Sequence, residues 1–159
     1  MTSERLLLEA EINRLNADYS AALDDGRYDE WPEFFIDAGT YKVQARENHE
    51  AKLPLALIAL ESKGMMKDRV YGVTQTIYHA PYYMRHVTGP ARVLGEVGGR
   101  VMAQASYAVF RTRPGDSSEV YNVGRYIDEI VRTDGGLKFA SRLCVYDSEM
   151  ILNSLIYPI

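Results

Sequence analysis

The chain has 159 residues, 47% of them hydrophobic and 25% charged, which suits one globular domain that buries a core without covalent staples. Its net charge of −4 and scattered Lys and Arg exclude nucleic acid as the main partner, because phosphate binding needs clustered cations. A single cysteine, Cys144, excludes an internal disulfide, and no run approaches the ~18 apolar residues of a membrane span.

Met1 to Arg5 lead straight into a charged helical pattern with no signal-peptide architecture, so a cytoplasmic location is expected. Residues 3 to about 25 read as an amphipathic helix: Leu8, Ile12, Leu15, Tyr19 and Ala22 or Leu23 recur at helical spacing, with Glu9, Glu11, Arg14 and Asp18 between them. Ser3 is a candidate cap, and Gly26 a stop. A short helix is expected from Asp29 to Phe35, with Pro32 in its first turn and Trp31, Phe34 and Phe35 packing inward. Residues 40–44 alternate like a strand, Arg46 to Glu50 reads as a loop, and Leu53 to Leu60 is an apolar run that fits a strand or a buried helix. Ser62 to Tyr71 is expected to be helical, although Gly64 weakens it.

Four alternating segments follow, at 82–95, 100–112, 118–132 and 136–147. Gly98-Gly99, Pro114-Gly115-Asp116 and Asp134-Gly135-Gly136 separate the last three, and such short turns imply antiparallel neighbours. In the last segment strict alternation places Leu137, Phe139, Leu143 and Val145 on one face and Lys138, Arg142 and Tyr146 on the other. Helices first and a meander afterwards define a single α+β domain over residues 1–159, with helices packed on one side of a curved sheet.

The three histidines, His49, His79 and His86, are the first candidates for chemistry. A non-heme iron site needs two His and a carboxylate, but Ala80-Pro81 breaks the stretch between His79 and His86 and no carboxylate lies nearby. One cysteine cannot provide the two Cys of a Rieske cluster. Cys144 lies between Leu143 and Val145, the setting of a buried, inert thiol. No nucleophile elbow or phosphate-binding loop occurs. Acid–base chemistry remains open: His86, Arg125, Tyr126 and Asp147 could line a pocket. The competing expectation is structural, with Arg125, Arg142 and Asp147 ion-paired across the sheet and His86 hydrogen-bonded to them.

Tyrosine outnumbers phenylalanine twelve to four, a bias suited to half-buried faces and interfaces. Residues 154–159 end in aliphatics around Tyr157-Pro158, and the expectation favoured is burial against another chain rather than on the domain's own core.

Several stretches stand out together: Asp29-Glu30-Trp31-Pro32-Glu33-Phe34-Phe35, the run from Tyr41 to His49, Lys67-Asp68-Arg69-Val70, Arg85-His86, Phe139-Ala140-Ser141-Arg142 and Val145-Tyr146-Asp147-Ser148. Together they resemble the small (beta) subunits of Rieske-type aromatic-ring-hydroxylating oxygenases. The order and spacing carry the resemblance over nearly the whole chain. Residues 60–65 and 153–159 look most like small subunits acting on salicylate, with those for terephthalate, anthranilate and benzoate close by. The resemblance implies a nuclear-transport-factor-like (cystatin-like) cone, a strongly curved mixed sheet over a few helices. It also implies a non-catalytic structural subunit in an α3β3 assembly with a large (alpha) subunit. That partner would hold the Rieske [2Fe-2S] cluster and the mononuclear non-heme iron. No catalytic, cofactor-binding or metal residue is carried over to this chain. The rival readings are a stand-alone acid–base enzyme of the same fold, of isomerase or dehydratase type, and a ligand-binding module without chemistry.

Overall fold

The computed structural model describes residues 2–151 and 155–159; Met1, and Asn153 and Ser154 of the expected tail, lie outside the described residues. Helix α1 spans Ser3–Asp24. Thr2, not Ser3, is its cap: the Thr2 hydroxyl accepts the Arg5 N–H at 3.3 Å. Gly26, at φ 73°, turns the chain just beyond the helix, in a region where a side chain would be strained. The helix buries Ile12, Leu15, Tyr19, Ala22 and Leu23, and with them the polar Asn16 and Ser20.

The expected helix after Gly26 is a 3-10 turn at Tyr28–Phe34, and Phe35 already belongs to strand β1, Phe35–Ala45. Arg46–Glu50 forms a short helix, α2, where a loop was expected, held by an Arg46–Glu50 ion pair at 2.9 Å one turn apart. Of the apolar run 53–60, only Ile58–Leu60 forms a strand, β2, while Leu53, Leu55 and Leu57 are exposed. Ser62 caps helix α3, Lys63–Tyr71, by accepting the Met65 N–H at 3.2 Å, and a π-helical turn, Gly72–Thr76, continues it.

The expected 82–95 strand is two strands, β3 (Tyr83–Thr88) and β4 (Arg92–Val97), divided at Gly89-Pro90 where proline has no N–H to continue a ladder. They are followed by β5 (Arg100–Thr112), β6 (Glu119–Thr133) and β7 (Gly136–Tyr146). The sheet runs β2-β1-β7-β6-β5-β3, with β4 also on β5; β1 and β7 are parallel and the other pairs antiparallel. The result is the expected α+β architecture, a mixed sheet with the helices packed against it. Among the described residues, no helix is long and apolar enough to cross a membrane.

Two local features shape the interior. Adjacent Glu129 and Ile130 of β6 pair with Ser141 and Phe139 of β7, so Ala140 is the extra residue of a β-bulge. The bulge shifts the alternation by one. Phe139, Arg142, Cys144 and Tyr146 are therefore all buried, and the face expected to join Phe139 with Leu143 and Val145 does not exist. Opposite, Gly124 pairs with Tyr146 so closely that a Cβ on it would lie 2.0 Å from the Val145 carbonyl oxygen.

The polar stripe of α1 closes the open edge at the start of β4. Asn13 accepts the Ala91 N–H at 2.7 Å, Glu9 accepts the Val93 N–H at 3.2 Å, and Arg5 donates to the Val93 carbonyl. Residues 5, 9 and 13 share one helix face, so side chains substitute for the missing neighbour strand and block edge-to-edge pairing.

Candidate functional site in the cone interior

The inner surface of the sheet is filled by aromatic side chains. Trp31 meets Phe35 and Tyr41 edge to face at 5.8 and 5.0 Å, Tyr19 meets Tyr126 and Phe139 at 6.2 and 5.8 Å, and Tyr107 stacks on Tyr126 at 4.4 Å. Arg142 lies among them, wholly buried. Its guanidinium carbon is 3.8 Å from the Tyr126 ring centre, 4.0 Å from Phe139 and 4.4 Å from Tyr19. Its Nε and Nη2 donate to the two oxygens of buried Asp128 at 2.9 and 2.8 Å, and Nη2 also donates to Asn16 Oδ1.

Burial raises the Asp128 carboxyl above its ordinary range, with Arg142 opposing that rise. Burial also disfavours the Arg142 cation, but the facing carboxylate outweighs it and holds the guanidinium charged. Burial pushes the hydroxyls of Tyr19, Tyr41, Tyr107 and Tyr126 upward, so they remain neutral donors and acceptors. The two charges face each other through two hydrogen bonds, Arg142 Nη1 stays buried without a partner among the described residues, and neither side chain presents an open acid or base.

Residues 155–159 complete the interior. Leu155 and Ile159 are buried in the domain's own core, which corrects the expectation that they pack against another chain. The tyrosines supply the reason: Tyr19 and Tyr41 donate to the Ile159 carbonyl at 2.7 and 3.1 Å, and the Ile159 N–H donates to the Tyr41 hydroxyl at 2.9 Å. Arg69 donates to the Leu155 and Ile156 carbonyls at 3.1 and 3.0 Å, and Tyr157 stacks on Tyr28 at 4.4 Å.

The residues singled out for chemistry do not converge. His49 is on α2. His79 pairs with the Tyr157 hydroxyl at 2.9 Å. His86, on β3, contacts Asp24 at 2.6 Å. Tyr126 points inward and its neighbour Arg125 outward, as adjacent strand residues must. Asp147 pairs with exposed Arg46 at 3.3 Å, not with Arg125 or Arg142. The expected ion pair across the sheet does exist, but it joins Arg142 to Asp128. Asp24, Asn16 and Asp128 were missed. Asp128 had a legible signal, since it lies two residues from Tyr126 on an inward face where a charge demands a partner. Among the described residues, no three His, Cys, Asp or Glu side chains gather as metal ligands.

Cys144 is fully buried, donates to the Ile159 carbonyl at 3.6 Å, and has its thiol pushed up to about 12 by burial. The native chain should therefore show no thiolate reaction with a disulfide reagent such as DTNB at pH 8, and one reacting thiol after unfolding in guanidinium. Rapid reaction of the native chain would show that the interior opens readily.

An α+β cone of this topology, closed by its own aromatic core, defines a SnoaL-like domain, and the SnoaL-like domain model matches residues 4–143. The anthranilate 1,2-dioxygenase small subunit of Burkholderia cepacia is 30% identical over 149 residues, covering 94% of this chain and 92% of that relative. The terephthalate 1,2-dioxygenase terminal oxygenase component subunit beta 1 of Comamonas sp. is 25% identical, over 97% of this chain and 100% of that one. The crystal structure of the beta subunit assigned to an aromatic-ring-hydroxylating dioxygenase of Novosphingobium aromaticivorans superposes with a TM-score of 0.88. It has 38% identity and covers 97% of this chain and 98% of that one. The chain belongs to the family of small (beta) subunits of aromatic-ring-hydroxylating dioxygenases.

Proposed function

We propose that the chain is the structural, non-catalytic beta subunit of the terminal oxygenase of a Rieske-type hydroxylase acting on an aromatic acid such as salicylate, in the cytoplasm. Its partner is a large subunit that holds the [2Fe-2S] cluster and the mononuclear iron; one buried cysteine and three separated histidines do not fit either centre. The filled interior carries this reading: Tyr19, Tyr126, Phe139 and the Arg142–Asp128 pair occupy the space where a stand-alone isomerase or dehydratase would need an open acid–base pocket. Ile127 and Leu143, paired neighbours on the outer face of the sheet and only half-buried, suit packing against further subunits, with a trimer of this chain inside an α3β3 assembly.

Co-expression with a large subunit carrying both iron centres should give a stable complex that sediments as α3β3 and, supplied with O2 and an electron-donating reductase with NAD(P)H, hydroxylates salicylate. Failure of the two chains to associate, or turnover by this chain alone, overturns the reading. A complex that accepts anthranilate or terephthalate but not salicylate keeps the subunit role and changes the substrate.

A further inference from the structure

The segment 53–57 presents Leu53, Leu55 and Leu57 to solvent, Leu55 by 68%. Its backbone is pinned in that posture. Gln44 Nε2 donates to the Leu53 and Leu55 carbonyls at 2.8 and 3.0 Å. The Leu53 and Leu57 N–H groups donate to the Asn48 and Val43 carbonyls at 2.9 and 2.7 Å. Lys52, at φ 56°, turns the chain into the segment through the left-handed region, which a lysine adopts at a cost. Gln44 follows Lys42 by two residues in β1, and Lys42 pairs with Leu143, so the segment lies over the outer face of the sheet. The result is a fixed ridge of three leucines.

A second apolar patch lies toward the opposite edge of that face. Tyr83 and Val87 of β3 and Val120 of β6 are exposed, Tyr83 by 70%, and half-buried Phe110 of β5 pairs with Val120 and joins them. Strand alternation puts Tyr83, Val87 and Phe110 opposite the buried Met84, His86 and Val109. From β1 to β5 is three strand spacings, about 14 Å, so ridge and patch do not overlap. Their charges differ in sign. Glu47, on α2 beside the ridge, is exposed and has no ion pair among the described residues. Arg85 stands between Tyr83 and Val87, and its ion-pair partner among the described residues, Asp24, is 3.8 Å away and already accepts the His86 N–H.

We propose that copies of this chain join head to tail, with the Leu53–Leu57 ridge of one copy on the Tyr83–Val87–Val120 patch of the next and Glu47 facing Arg85 across the contact. A ridge-to-ridge dimer would bury three side chains, short of the ~800 Å² per partner of a stable interface, and leave the patch in water. The head-to-tail contact covers both patches on every chain. Because both lie on one face, each copy turns in the same sense relative to the last, as a closed ring requires, and Ile127 and Leu143 between them line its axis. The rim pair fixes the register of an otherwise apolar contact. The number three rests on the subunit reading; the contact itself does not.

Sedimentation velocity of the full chain alone tests this, beside Leu55→Asp, Val120→Asp, Glu47→Arg and Arg85→Glu. The native chain should sediment as a trimer, and L55D and V120D as monomers. Both residues are exposed, so unchanged melting curves separate lost association from lost folding. E47R and R85E should each weaken association about tenfold by setting like charges face to face, and the E47R/R85E double variant should restore it. A native chain that stays monomeric at every concentration, or an L55D chain that trimerises as tightly as the native one, overturns the proposal. An L55D chain that trimerises normally but no longer binds the large subunit gives the ridge to that partner instead. A double variant no tighter than either single one overturns the pairing of Glu47 with Arg85. Failure of the trimer to bind any large subunit counts against the subunit reading and leaves this contact standing.

Discussion

Replacing Arg142 with leucine should destabilise the domain by about 3–5 kcal/mol, because it leaves Asp128 as a buried charge with no counter-charge. For a domain of this length that lowers Tm by roughly 6–20 °C. Burial already raises the Asp128 carboxyl with Arg142 beside it, and the variant removes the cation that opposes the rise. A carboxyl raised in the folded state contributes stability below its unfolded value, about 3.9, and loses it as pH rises. The deficit of R142L should therefore be small near pH 4 and grow toward neutrality. The paired replacement Arg142→Met with Asp128→Leu should recover most of the loss, since it removes both desolvation costs together. Thermal melts of the native chain and the two variants at pH 4.5 and 7.5 test this. A leucine variant within 2 °C of the native Tm at pH 7.5, on the order of 1 kcal/mol, would show that the pair adds little.

Deleting residues 155–159 should cost the folded state itself. Full burial of Leu155 and Ile159 contributes about 1.5–3 kcal/mol each. Without the Ile159 carbonyl, the buried hydroxyls of Tyr19 and Tyr41 lose their acceptor, at about 1–3 kcal/mol apiece. A typical domain has about 5–15 kcal/mol in total, so the shortened chain should lose its near-UV circular dichroism and its cooperative melt. Ile159→Asp should act in the same direction, because it places a carboxylate among the tyrosine rings, and Tyr41→Phe should cost only about 1 kcal/mol. If the deletion instead leaves the melt intact and only weakens oligomerisation, the segment is an interface after all.

The two predictions differ in how much of their basis could be read from residues alone. The repeat of Ile12, Leu15, Tyr19 and Leu23 announced α1, and the turns at 98–99, 114–116 and 134–136 announced the meander, because both signals are local and periodic. The resemblance of stretches spread along the chain pointed to the family that the relatives bear out. The tail was half legible: three large aliphatics called for burial, but nothing in their spacing said against what.

Local pattern failed where one residue or one long-range partner changed the outcome. Strict alternation put Arg142 opposite Phe139, and the bulge at Ala140 brought both inside. Arg46 to Glu50 is polar and looked like a loop, yet one ion pair a turn apart stabilises a helix. The partners of the buried charges, Asp128 for Arg142 and Asp24 for His86, lie 14 and 62 residues away in the chain, and only sheet register and helix docking bring them together.

By itself, then, the sequence determined the helix-then-meander order, the absence of ligands for a Rieske cluster and the need to bury its final aliphatics, since each follows from residue type and period. Only the tertiary structure decided which side chains fill the cone and which charges meet there. Those depend on register, where a shift of one residue turns every later side chain to the opposite face.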